Sequence, residues 1–437
     1  MKPDLANYPL MMTSHFPLSP RRSSLLAVAA LLLAAAGTAP AQILIGPLGE
    51  AAGPSTPGFP TSVGGGFPTS GMGTGDVGGE ARRFKYSFRL NVTALYDSNI
   101  FISKTNRVHD YEFTITPGVT LGWGDVFGRT RNYLRLDYAP SFQLFANNSS
   151  QNNIGQNLLI DGKYSTGKAT WRFAELFTIS NGANTDIGNR VPSQLSATTL
   201  GVNYVLSDKT NIDLAANFAY QGYQNQLDTM TVSGAGYFNY VYSPKLTIGL
   251  GVVGGLQTVN GPDSPDQTFE QANLQVIYQA TGKISVNAIV GAEFRQFSGA
   301  RSGYVTPVFT LSGVYVPFDG TTITLAAFRR IQPSSSLVGQ SFTSTGFTLS
   351  FRQRFYQRLY LTGSGTFENS YYFANVPQAI AARNSNYISG SIGLDYFVRE
   401  GWTVGAFYLN RQSFGNQAAA PFDFIDHQVG IRSTVSF

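Results

Sequence analysis

From Phe84 to the C-terminus, apolar and polar residues alternate with a period of two, the period of a strand with two unlike faces. Phe84, Tyr86, Phe88, Leu90, Val92 and Ala94 fall on one face, and Lys85, Ser87, Arg89, Asn91 and Thr93 on the other. Tyr111, Phe113, Ile115, Val119, Leu121 and Trp123 then stand against Glu112, Thr114, Thr116 and Thr120. Leu134, Leu136, Tyr138, Phe142 and Leu144 stand against Arg135, Asp137, Ser141 and Gln143. The pattern continues to Phe437 and yields about eighteen segments (16–18) of roughly 10–15 residues, so the fold class is all-β.

The connections decide between a soluble sandwich and a barrel. Short turns at 165–168, 207–210, 243–245, 280–283, 318–320 and 399–401 alternate with longer polar links at 181–194, 257–268, 331–344, 369–384 and 411–424. A sandwich needs varied Greek-key connections. Strict alternation of short and long links is the meander of a transmembrane up-and-down antiparallel β-barrel, with short periplasmic turns and longer external loops. Tyr86, Trp123, Tyr164, Trp171, Tyr240, Tyr242, Tyr278, Tyr315, Tyr396 and Trp402 collect at segment ends, as an interfacial aromatic girdle does. Lipid cannot satisfy a free strand edge, so such a sheet must close.

Composition agrees. Charged residues make up 13% of the 437, about half the share usual in soluble domains, and no apolar run after the N-terminal segment is long enough for a membrane helix. The absence of cysteine excludes disulfides, thiol nucleophiles and Cys-based metal sites. The basic residues are spread at strand spacing, which argues against nucleic-acid binding.

Residues 1–41 read as a signal peptide: Arg21-Arg22 open it, Leu25 to Ala36 form its apolar region, and Ala39-Pro40-Ala41 is a small-residue cleavage site. Residues 42–82 are rich in Gly, Pro and Ser, and repeat Gly-Phe-Pro-Thr-Ser. That composition cannot offset its chain entropy, so a disordered periplasmic tether is expected, with the barrel over 83–437. The last strand carries Val429, Ile431, Val435 and Phe437 on one face and resembles the C-terminal signal read by outer-membrane assembly machinery. Outer-membrane localisation follows, with both termini periplasmic and outer-membrane lipid as the surrounding partner. The residues do not set an oligomeric state.

The polar faces should line the lumen. The candidates are Lys85, Arg89, Glu112, Arg135, Asp137, Asp161, Lys163, Arg172, Asp213, Glu293, Arg295, Arg352, Arg354, Asp395 and Arg432. Both signs are present, so these groups either select solutes or pair across the lumen and brace it. Tyr133, Tyr360 and Phe397 could stack on sugar rings. Glu175 falls on the Trp171/Phe173/Phe177 face, where a bulge or register change is expected; Ala326 to Ile331 also disturbs the alternation. Asp97, His109, Asp110, Asp423, Asp426 and His427 come to one sector of the outer rim, which leaves open an acid–histidine hydrolase or a calcium site. No serine has a nucleophile context, and no phosphate loop, cofactor site or metal motif is present. The ranked expectations are therefore a channel, then a structural or adhesive barrel with a plugged lumen, then a hydrolase at the extracellular rim.

The first strand ends Leu95-Tyr96-Asp97-Ser98-Asn99-Ile100-Phe101, and a Tyr-x-Phe-x-Ile-x-Pro strand follows at Tyr111 to Pro117. These residues resemble the opening of the β-barrel porin-2 group of outer-membrane proteins. The resemblance implies a large outer-membrane barrel and, because several members are associated with exopolysaccharide export, a saccharide as a possible substrate. It carries no catalytic or ligand-binding residue. Asp97 and Asn99 are turn formers and candidates for holding the first loop inward.

Overall fold

The computed structural model describes residues 84–126, 129, 132–261, 264–298, 301–376 and 383–437. The signal and tether expected over 1–82 lie outside these residues. Nineteen β-segments form one closed antiparallel sheet, and no α-helix occurs among the described residues. β3 (Tyr133–Tyr138) and β4 (Ser141–Phe145) are two halves of one stave, both paired to β2 (Asp110–Gly124) and β5 (Asn153–Thr166). The break falls at Ala139-Pro140, where proline has no N–H for the ladder. The barrel therefore has eighteen staves, within the range the alternation predicts.

Closure joins β1 (Phe84–Asp97) to β19 (Phe424–Ser436) in an unbroken register from Arg89↔Ser436 to Asp97↔Gln428. Phe437 extends it: its N–H donates to Phe88 O at 2.8 Å, and Phe88 N–H donates to Phe437 O at 3.2 Å. The C-terminal phenylalanine thus holds the edge strand of the seam, with its ring on the outer surface.

The face predicted as apolar points outward all round. Phe88, Leu250, Val252, Val305 and Ile431 are exposed, while the polar face points into the barrel. This inversion of a soluble core is stable only where hydrocarbon replaces water outside. The short-turn end carries the expected aromatics, and the structure adds a second ring at the loop end from Tyr96, Tyr111, Tyr371 and Tyr408. The sequence count missed that ring because the strands run farther than their alternation does.

The links predicted as long shrink accordingly. β6 (Ala169–Asn184) and β7 (Asn189–Ser207) reduce the 181–194 link to a four-residue turn, and β14 (Thr321–Pro333) and β15 (Gln340–Tyr356) trim the 331–344 link from both ends. Both faces of a strand beyond the membrane meet polar surroundings, so the chain stays extended while the apolar signal fades.

The bulge expected at Glu175 is absent. The β5–β6 register runs unshifted from Thr166↔Ala169 to Gln156↔Ile179, and the β6–β7 register is equally regular. Glu175 does face outward, and its carboxylate is satisfied locally: Ser196 Oγ donates at 2.9 Å and the Thr198 hydroxyl donates to the second oxygen. A carboxylate on the lipid face still costs free energy. Glu175→Leu is expected to stabilise the barrel by up to about 2 kcal/mol in bilayers, read from the guanidinium unfolding midpoint in vesicles. A lower midpoint would show that Glu175 is not in contact with lipid.

Candidate functional site: a lumen crossed at its loop end

At the loop end, three sets of strand tips leave the wall and fold into the mouth. The β6–β7 turn is built by Asn184, whose Oδ1 accepts Asp186 N–H (2.9 Å) and Ile187 N–H (3.1 Å). Gly188 closes the turn at φ +73°, and a Cβ there would stand 2.5 Å from the Phe422 ring, so the position tolerates only glycine. Arg190, on the outward register of β7, lies over the Phe145 ring on the lumen face of β4 (4.7 Å) and donates to Gln143 Oε1 (2.9 Å). An outward residue can touch an inward one only if the hairpin has tilted into the barrel.

The second set comes from the nearly opposite wall. The β13 (Arg301–Tyr315) ladder with β14 ends at Phe309↔Arg329, although both strands continue toward the loop end. Pro307 has no N–H to offer β14, and Arg329 caps the break, donating to Pro307 O (3.1 Å) and Thr345 Oγ1 (2.8 Å). Beyond it, Ile331 of β14 and Phe373 of β16 (Leu359–Ala374) pack behind Phe297 of β12 (Ile284–Phe297) and Tyr304. The Ala326 to Ile331 irregularity in the sequence is therefore the place where this hairpin departs from the wall. Phe328 faces inward beneath the Arg330 guanidinium (4.5 Å), and Arg329 faces outward.

The two sides meet on Asp186. Its carboxylate accepts Ser334 Oγ (3.0 Å), Ser335 N–H (2.7 Å) and Tyr372 Oη (2.7 Å), with the Arg383 guanidinium at 3.7 Å. Its carbonyl accepts Ser336 Oγ (3.0 Å) and Arg383 Nη1 (2.8 Å), and Arg383 Nη2 donates to Thr185 O (2.7 Å). Arg383 precedes β17 (Asn384–Arg399) and is also stacked on Phe422 (3.7 Å) and Tyr372 (4.5 Å). Asp186 retains 1% of its accessible surface. The sequence reading missed this hub, since a turn aspartate reads as a solvated loop residue until its opposite wall is known.

The Asp-Ser-Asn-Ile-Phe element holds the third set, the first loop. Asn99 is buried; it donates to Ser103 O (2.8 Å) and Ile425 O (3.1 Å) and accepts Ser103 N–H (2.9 Å). Ile102 then packs with Ala183, Tyr387 and Phe424. Beneath it, Arg411 of β18 (Trp402–Gly415) pairs with Asp426 at 2.6 Å and Asp97 at 3.6 Å, and all three are buried.

The expected lining residues sit on the inward register, and where their charges pair they do so along the wall and not across the lumen. Arg89 and Arg135 both bind Asp137, the latter at 2.9 Å. Glu293 holds Arg295 (2.7 Å), which also reaches Gln257 and Gln267. Asp395 takes Arg432 in a two-point contact at 2.7 and 2.8 Å. Asp213 accepts Asn239 (2.6 Å) and Asn203, and Glu112 accepts Gln143 (2.6 Å) and Thr114 (3.0 Å). Asp161 meets the Tyr133 hydroxyl, and Arg172 lies near Tyr133 and Asp213. Lys85 and Lys163 share the inward face, whereas Arg354 is exposed at the short-turn rim. Arg352 has no ion pair among the described residues. Its guanidinium lies 4.4 Å over the Tyr360 ring and 6.0 Å from that of Phe397, the two rings packed edge to face at 5.0 Å.

The acid–histidine rim does not assemble. Strand alternation turns Asp97, Asp110 and Asp426 inward to burial, while His109 and His427 point out. Asp110 is spent on Asn147 and Asn148, which donate backbone and side-chain N–H groups to it at 2.7–3.2 Å. Among the described residues, no group of three or more acidic or histidine side chains is placed to hold a metal ion.

No family model matches the chain, and no curated protein matches it. Among solved structures it is similar to the outer membrane protein OpdK of Pseudomonas aeruginosa (12% identity, 81% of this chain and 99% of that one, TM-score 0.42). It is also similar to OccK2 (OpdF) of that organism, solved in complex with glucuronate (10%, 81% and 98%, 0.43), and to OccK3 (OpdO) (13%, 81% and 96%, 0.42). At these scores the likeness assigns no residue and no substrate. The chain's own geometry defines the candidate site: a polar lumen in which Arg352, near the short-turn end, has no ion pair among the described residues, and an Asp186-centred crossing at the other end.

Proposed function

We propose that this protein is an outer-membrane channel for hydrophilic solutes, constricted at its loop-end mouth by inward-folded strand tips. The observation that carries the reading is an eighteen-stave barrel, a size that leaves room for water, whose polar lumen is crossed, among the described residues, at its loop end. The short-turn end, which holds both ends of the sheet, faces the periplasm in this reading. Residues 1–41 are removed on export and 42–82 form a tether; the intact mass of the mature protein tests the first point. Passage needs no reaction, and selectivity comes from the constriction and from charge that the wall does not neutralise. Saccharide export, implied by the Asp97-Ser98-Asn99 resemblance, is the finer form, with Tyr360 and Phe397 as stacking surfaces.

Single-channel recording of the refolded mature protein in planar bilayers, with oligosaccharides as blockers, tests both levels. Stepwise conductance supports the channel, and sugar-dependent block supports the saccharide form. Because Arg352 forms no ion pair among the described residues and stands over the Tyr360 ring, Arg352→Glu is expected to move the reversal potential toward cation preference by tens of millivolts under a tenfold salt gradient, of which the ideal limit is about 59 mV. An unchanged potential removes Arg352 from the selectivity argument.

The burial of Asp186, Ile102 and Phe342 supports one second reading, a structural barrel sealed at this end. It predicts silence in the native chain and in every variant of the Asp186 crossing.

A further inference from the structure

Channel function leaves His109 and His427 without a task, although both stand on the outer face at the height of the loop-end tyrosines. Below them the outer surface of β1, β18 and β19 is not flush. A groove of about 550 Å³ runs over Ala94 and Ala406, between walls that include Phe113 and Ile392, and is topped by Tyr96 and Tyr408. Two alanines set opposite Ile431, on the strands either side of it, create the depression. Its lining is almost wholly apolar.

The head of the groove is polar and ordered. Tyr408 Oη lies 2.8 Å and Asn410 Nδ2 3.1 Å from His427 Nδ1. An amide nitrogen only donates, so Nδ1 accepts and the neutral ring carries its proton on Nε2. Nε2 has no partner among the described residues, and His427 is exposed. His109 rests against Tyr96 at 6.0 Å, on the other side of β1 from His427. Two outward imidazoles thus stand against Tyr96 and Tyr408, the tyrosines that top the groove.

We propose that this face is a binding site for a phosphate-bearing acyl lipid of the surrounding leaflet, with the chain over Ala94 and Ala406 and the phosphate accepting from His427 Nε2 and His109. The proposal rests on the barrel standing in a bilayer and is independent of whether the lumen conducts. A neutral imidazole supplies one ring N–H donor, which suits phosphate oxygen. The groove offers an acyl chain little more than bulk lipid already does, so specificity is expected to lie in the headgroup.

Native mass spectrometry of the full mature chain in detergent, with added lipid A, phosphatidylglycerol or diacylglycerol, tests it. At least one phosphorylated lipid is expected to be retained about tenfold better than diacylglycerol, and the preferred one names the source. Retention is expected to fall by about the same factor in His109→Ala/His427→Gln and in the groove-filling Ala94→Leu/Ala406→Leu. These side chains face outward, and heat-modifiable mobility checks that each barrel folds. Equal retention of diacylglycerol, or undiminished phospholipid retention in either variant, overturns the site; the diacylglycerol comparison needs no variant.

Discussion

Asp186→Ala is expected to raise single-channel conductance several-fold and to lengthen open times. The side chain gathers a backbone N–H, two hydroxyls and a guanidinium from three other segments, all of them buried when the mouth is closed. Removing one member of a buried charged pair costs about 3–5 kcal/mol, because the partner is left uncompensated. Moving a two-state equilibrium from 99:1 to 1:99 takes about 5.5 kcal/mol, so the loss brings even a strongly closed mouth near or past parity. The barrel below should be unaffected, since the staves hold one another by continuous ladders that do not involve the tips. Asp186→Asn keeps acceptors for Ser335 N–H and Tyr372 Oη but loses the charge facing Arg383, so a smaller rise is expected. The cost falls on the tips because β14, unpaired with β13 beyond Arg329, is held there by β15 alone. Unchanged conductance in both variants, in bilayers where the native chain conducts, would show that the crossing does not gate the path.

How far the sequence foretold this architecture depends on what each residue must satisfy. Phe84 to Ala94 declare a strand and its faces because a lipid-facing side chain and a water-facing one differ in kind, and the same logic places Arg89, Asp137 and Arg432 on the lumen wall. Closure is legible in the lipid-facing alternation, since hydrocarbon offers no partner to a free strand edge. The crossing is not legible: Asn184 to Asn189 are ordinary turn formers, Ser334 to Ser336 an ordinary polar link, and their meeting depends on a tilt begun by Pro307 and Arg329 across the barrel. Glu175 shows the opposite error. It violates the alternation without any backbone response, because two hydroxyls on β7 satisfy it more cheaply than a bulge would. His109 and the aspartates beside it cluster along the chain yet separate in space, since adjacent strand positions take opposite faces.

Arg411→Leu is expected to weaken the closing seam more than any change on the outer wall. Arg411 joins β18 to both edges of the seam, donating from Nε to Asp426 on β19 at 2.6 Å and standing 3.6 Å from Asp97 on β1. Without the guanidinium, two buried carboxylates face one another, tied by Gln428 Nε2, which donates to Asp97 (2.7 Å) and Asp426 (3.3 Å) and so holds both negative groups close. The penalty for an orphaned buried charge is about 3–5 kcal/mol, and like-charge repulsion adds to it. The local escape is protonation of one carboxyl, so the variant should recover part of its stability as pH is lowered, the reverse of the usual acid loss. The urea midpoint in vesicles is expected to fall sharply at neutral pH and to recover toward pH 5, with Asp97→Asn in the same chain restoring much of it at neutral pH. A pH-independent midpoint, or no rescue by Asp97→Asn, would mean that the seam is held by its backbone ladder and that Arg411 serves only the lumen.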